Sequence, residues 1–80
     1  MYNGNWKHGI EVGLGSRRRI RNTTEAAYFL LYGWPAKRGK AYKVARDLCL
    51  EALDRRASPE QAKAAFIQAA REAELPIADQ

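Results

Sequence analysis

His8 and Cys49 are the only histidine and the only cysteine of the chain, and neither has a neighbour that would make it a catalyst. Nucleophilic catalysis needs a Ser or Cys beside a base that a third group orients. Cys49 falls on an apolar stripe, where a cysteine acts as a small core side chain. Ser16 belongs to a turn and Ser58 to a helix start, so both hydroxyls already have structural roles. Glu25 stands where a capping residue stands and Glu11 is alone on its strand, which leaves no acid–base pair. Zinc sites draw on several Cys and His ligands at close spacing, and one of each, forty-one positions apart, does not supply them. The expectation is a chain without enzymatic activity, cofactor or metal.

Two basic segments carry chemistry of another kind. Arg17, Arg18, Arg19 and Arg21 form one, and Lys37, Arg38, Lys40 and Lys43 the other. Residues 1–43 hold nine of the fourteen Lys and Arg but only two of the nine acids, so the net charge of +5 is concentrated in that half. Cations around a helix start oppose its dipole, and Glu51 and Asp54 near the end of the same helix oppose it in the same sense. Broken local rules mark functional or strained places. Free amides ringed by Lys and Arg suit a phosphate or another anion, and the forked arginine donors favour phosphate. These eight residues are therefore candidates for binding anions or nucleic acid. The same cations also fit a solvated basic face that aids solubility.

The third candidate is aromatic. After Glu25 every residue from Ala26 to Tyr32 is apolar or aromatic, and a helix apolar all round is buried on several sides or covered by a partner. Tyr28 and Tyr32 lie one turn apart on one face, with Phe29 adjacent. Leu30, Leu31 and Trp34 are expected in the core. Tyr28, Phe29 and Tyr32 are the candidate protein interface, most simply that of a symmetric homodimer.

The elements that position these residues can be read along the chain. Residues 1–5 read as a flexible tail, and Trp6 marks the start of one domain that extends to residue 80. Ile10, Val12 and Leu14 alternate as a strand with one buried face. Gly15-Ser16 signals a turn, and Arg17 to Arg21 return as a second strand. Arg17, Arg19 and Arg21 share one of its faces, Arg18 and Ile20 the other. Asn22 and Glu25 form a helix start, and Pro35 ends that helix near Gly33. A second helix runs from about Lys40 to Asp54, with Ala41, Val44, Ala45, Leu48, Cys49, Ala52 and Leu53 on its apolar stripe. Ser58, Pro59 and Gln61 open a third helix, whose stripe is Ala62, Ala65, Phe66, Ala69 and Ala73. Leu75-Pro76-Ile77 fits a short edge strand, where proline is tolerated. The predicted class is α+β: an N-terminal β-hairpin, three helices and a short C-terminal strand, with a small antiparallel sheet packed on the helices.

Eighty residues make one domain at most, and a chain so short buries roughly 60–65% of its unfolded surface, so self-association would help it. A single cysteine forms no internal disulfide and points to a reducing compartment. Met1 is not followed by the basic start and apolar run of a secretory signal, and the apolar stretch Ala26 to Tyr32 is too short to cross a membrane. Cytoplasm is the expected location.

Glu25-Ala26-Ala27, Leu30-Leu31, Trp34-Pro35, Gly39, Ala41-Tyr42, Ala45, Cys49, Ala52-Leu53, Pro59, Ala65-Phe66, Ala69-Ala70 and Glu72-Ala73 together resemble one family, domain of unknown function family 982. The resemblance runs from Trp6 to Ile77. It implies a stand-alone small α+β domain and brings no catalytic or binding residues with it. From the residues themselves, the leading expectation is a non-enzymatic binding module that acts by protein contacts, as a homodimer in the simplest case. The alternative is a nucleic-acid-binding or regulatory protein that uses the basic hairpin and loop.

Overall fold

A computed structural model describes residues 2–13, 15 and 17–79. Leu14 and Ser16, placed by the sequence in the first strand and its turn, lie outside the described residues. The elements are strand β1 (Asn5–Val12), strand β2 (Arg18–Asn22), helix α1 (Thr23–Tyr28) running into a π-helical turn (Phe29–Gly33), helix α2 (Lys40–Leu53), helix α3 (Pro59–Glu72) and strand β3 (Ile77–Asp79). The sheet is antiparallel in the order β2-β1-β3, so the first strand made is the central one. The α+β class, the hairpin, the three helical segments and the C-terminal strand follow the sequence pattern.

β1 begins five residues ahead of the alternating run that signals it. Its pairing with β2 steps from Asn5↔Asn22 to Ile10↔Ile20, an irregularity that breaks the period-two pattern and hides the first half of the strand. Two residues ahead of Trp6 are hydrogen-bonded to the start of α1. Asn3 and Gly4 accept backbone hydrogen bonds from Thr24 and Thr23, and Gly4 is buried. Trp6 Nε1–H donates to Thr23 Oγ1 at 3.1 Å, and that hydroxyl donates in turn to the Gly4 carbonyl at 3.0 Å. Thr23 is fully buried, so this chain of bonds satisfies three polar groups inside the core.

Asn22 caps α1 by accepting the Glu25 amide at 2.8 Å, as its position predicts. The return bond differs from a simple capping box, because Glu25 Oε1 accepts the amide of Arg21 at 2.7 Å. α1 stops at Tyr28, and the following turn widens to i→i+5 pairing before Pro35. In that register the Leu30 carbonyl would pair with residue 35, a proline without an N–H. The Tyr42 hydroxyl donates to it instead, at 2.5 Å. This bond places Tyr42 in the core at 3% exposure, whereas Val44, expected on the stripe of α2, is half exposed.

α3 carries a complete capping box: Ser58 Oγ accepts the Gln61 amide and Gln61 Oε1 accepts the Ser58 amide. Small residues set the close approach of the two long helices, with Ala45, Cys49 and Ala52 of α2 and Ala62, Ala65 and Ala69 of α3 all buried. Phe66 is fully buried and meets the rings of Trp6, Phe29 and Trp34 at centroid distances of 6.1, 6.1 and 5.9 Å. Both long helices end in a Schellman motif. The residue in the left-handed conformation is Arg55 after α2 and Glu74 after α3, with φ of 62° and 59°. Leu75 then turns back to the Ala70 carbonyl and leads to β3, which pairs with β1 two residues later than Leu75-Pro76 suggests.

Candidate functional site

The outer face of α1 and the π turn carries an exposed aromatic pair. Tyr28 and Tyr32 are 61% and 74% exposed, and their rings lie 5.0 Å apart. Phe29, one residue on, rotates by about 100° around the helix and points inward. It is buried at 3% and packs edge-on against Trp34 at 5.7 Å, so it belongs to the core and not to an interface. Leu31, expected in the core, is instead 37% exposed and joins the two tyrosines.

The hairpin arginines flank this face. Along β2, Arg18 shares the inner face with Ile20, and its guanidinium lies over the Phe29 ring at 5.4 Å. Arg17 Nη1 is 3.7 Å from Glu11, and Arg21 Nη2 is 3.3 Å from Glu25. Arg19 stands opposite Glu11 in the β1–β2 register. Two of the four hairpin arginines thus form ion pairs, although exposed pairs like these contribute little stability. Arg18, Arg19, Ile20, Thr24, Glu25 and Tyr28 line a groove of about 250 Å³ between β2 and α1.

The loop cations gather at the other end of the aromatic row. Trp34 Nε1–H donates to the Lys37 carbonyl at 3.0 Å and closes the loop. Arg38 lies over the Tyr42 ring at 5.2 Å, and Tyr42 meets Trp34 at 5.4 Å. Arg18 and Arg38 therefore bracket one line of rings: Phe29, Trp34 and Tyr42. Lys40 opens α2, and Lys43 is exposed one turn later.

One amide at the start of α2 already has an anionic acceptor. Glu72 Oε1 accepts the Ala41 amide at 3.1 Å, so the end of α3 supplies the anion. Gly39, the N-cap, makes the approach possible, because a Cβ there would collide with the Glu72 carboxylate. Nothing in the local sequence of α2 announces this acceptor, which lies thirty-one residues away.

The groups weighed for catalysis lie apart. Cys49 is fully buried, and desolvation pushes its thiol up to about 12. His8 is exposed, and its carbonyl accepts Lys63 Nζ at 2.8 Å. Among the described residues no three of His, Cys, Asp and Glu come together as a metal site. No helix among them is long and apolar enough to cross a membrane.

Fold and surface together define a small α+β domain with an exposed tyrosine ridge and an arginine-bordered groove. The chain belongs to the family described as "protein of unknown function (DUF982)", whose profile matches residues 9–77. No curated protein and no solved structure is significantly similar to it.

Proposed function

We propose that this protein is a non-enzymatic binding module whose contacts are protein contacts, made by the outer face of α1 and the π turn. One observation carries the reading: Tyr28 and Tyr32, with Leu31 beside them, stand in solvent on a segment whose opposite side is core. Tyrosine and arginine are the side chains that concentrate binding energy at interfaces, and Arg18 and Arg19 border the ridge. A second copy of the chain is the simplest partner, because a two-fold axis through the ridge needs no further surface. The single buried thiol fits work in a reducing compartment such as the cytoplasm.

Sedimentation equilibrium tests the self-contact. The wild-type chain should show a reversible dimer, and Tyr28→Ser/Tyr32→Ser a monomer with unchanged circular dichroism. A wild-type chain that stays monomeric at every concentration removes the dimer.

A second reading, nucleic-acid binding, is favoured by Arg18, Arg19 and Tyr28 lining one groove, since bases stack on aromatics beside cations. Against it stand the carboxylates beside Arg17 and Arg21 and the Glu72 carboxylate at the α2 amides. Anisotropy of a labelled mixed-sequence oligonucleotide decides between the two. Binding at physiological salt with a log–log slope of about −3 or steeper promotes this reading.

A further inference from the structure

We propose that the outer edge of β2 receives an extended acidic segment of another protein as an added strand. The proposal rests on the protein-contact reading and names the partner's chemistry. β2 has β1 on one side only, because the sheet runs β2-β1-β3. The direction of its backbone groups follows from the register. The Gly13 amide donates to the Pro76 carbonyl, so Glu11 and Gly13 turn their backbone groups toward β3. Ile10 and Val12 then face β2, where their partners are Ile20 and Arg18. Arg19 and Arg21 lie between those inward positions and present N–H and C=O to the outer edge.

The outer edge already holds one anionic oxygen. Glu25 Oε1 takes the Arg21 amide at 2.7 Å, where the carbonyl of a neighbouring strand would sit. Beyond it the Arg19 groups border the 250 Å³ groove, which Ile20 and Tyr28 line on its apolar side. That volume is about eight times the share of one liquid water, room for a large side chain from an incoming strand. Strand addition beside a helix uses this combination: main-chain pairing for affinity and a side-chain pocket for specificity.

Charge selects the occupant. Arg18 and Arg19 line the groove at this edge, and arginines on an outer strand block pairing with an identical copy, since like charges would stand opposite each other. A segment that alternates Asp or Glu with an apolar residue meets the arginines on one side and the groove on the other. A nucleic-acid backbone would satisfy the charges but leave the Arg19 edge unpaired.

The test is selection from a displayed library of random heptapeptides on the immobilised protein, followed by amide exchange with a selected peptide bound. Enriched peptides should alternate acidic and apolar residues, and the Arg19 amide should gain protection when they bind. Arg19→Pro removes the outward N–H but no bond to β1, and should weaken binding at least tenfold. Should that change unfold the hairpin, Arg18→Glu/Arg19→Glu keeps the backbone, and a tenfold loss is again expected. No acidic consensus, unchanged Arg19 exchange, or full affinity in these variants overturns the proposal. Oligonucleotide binding without Arg19 protection also overturns it and gives the arginines to nucleic acid. Peptides that ignore Arg19→Pro but are lost in Tyr28→Ser/Tyr32→Ser overturn the added strand and leave the tyrosine ridge standing. If neither variant matters, both readings fall.

Discussion

The Glu72 carboxylate caps α2 from the last turn of α3, accepting the Ala41 amide at 3.1 Å. α2 has no side-chain cap of its own and no acid in its first turn, while Lys40 and Lys43 oppose its dipole. One residue thus supplies what the local sequence withholds and ties the two long helices together.

Glu72→Ala should therefore cost about 1 kcal/mol, the usual value of a lost cap. In a domain of this size that lowers Tm by about 4–8 °C. Gly39→Ala should cost as much by displacing the carboxylate, and the double variant should lose less than the sum of the two. Thermal denaturation of the four proteins checks this, and additive losses would break the link.

Tyr42→Phe should destabilise by about 1–3 kcal/mol, because it leaves the Leu30 carbonyl buried without a donor. Tyr32→Phe, at an exposed position, should change stability by less than about 0.5 kcal/mol. Urea unfolding of the pair measures the contrast, and equal effects would mean that the π turn does not need its outside donor.

Thr23→Val keeps the shape of the side chain but strands the Trp6 indole N–H, while the Gly4 carbonyl keeps only the Thr23 amide. About 1–3 kcal/mol is the expected loss. Gly4→Ala should be comparably harmful, since φ is +66° there and the new Cβ would fall 2.6 Å from Thr23 Oγ1. Urea unfolding followed by circular dichroism measures both losses.

Much of this was legible because it is local. Ser58 and Gln61 stand three residues apart, and both bonds of their box form. Asn22 starts α1, and Pro35 follows its end. Spacing also brought Tyr28 and Tyr32 to one face, but it could not turn Phe29 inward or Leu31 outward, since composition does not show where a helix widens. The basic segments were legible as charge, whereas their neighbours were not. Glu25 and Tyr42 each lie four residues from their cation, but Glu11 and Phe29 reach theirs only because the hairpin folds back and packs on α1. Distance along the chain explains the rest: Glu72 caps a helix it follows by thirty-one residues.

Cys49 sets an alkaline limit. Its thiol is pushed up to about 12 from an ordinary value of 9.0. Below pH 9 both folded and unfolded chains keep the proton, and stability is independent of this group. Between about 9 and 12 the unfolded chain loses the proton first, so stability falls as pH rises. Comparing pH–stability curves with Cys49→Ala should remove that slope. At pH 8 a thiol reagent should modify the native protein far more slowly than the unfolded one.

Glu74→Gly should stabilise the fold by about 1 kcal/mol, because a left-handed residue closes the Schellman motif of α3 and glycine adopts that conformation without penalty. Differential scanning calorimetry should show a higher Tm. No gain would mean that the Glu74 side chain makes a compensating contact.

The order of strands in the sheet has a consequence for biosynthesis. β1 can pair with β2 as soon as both have left the ribosome, but the partner for its other edge is β3, which follows only after both long helices. At roughly 5–20 residues per second, several seconds pass before that partner exists. Through that interval the apolar side of the nascent hairpin, with Ile10, Val12 and Ile20, waits for the later helices. Until β3 has emerged the sheet lacks its third strand, and chains halted before residue 77 should be cleared by proteolysis.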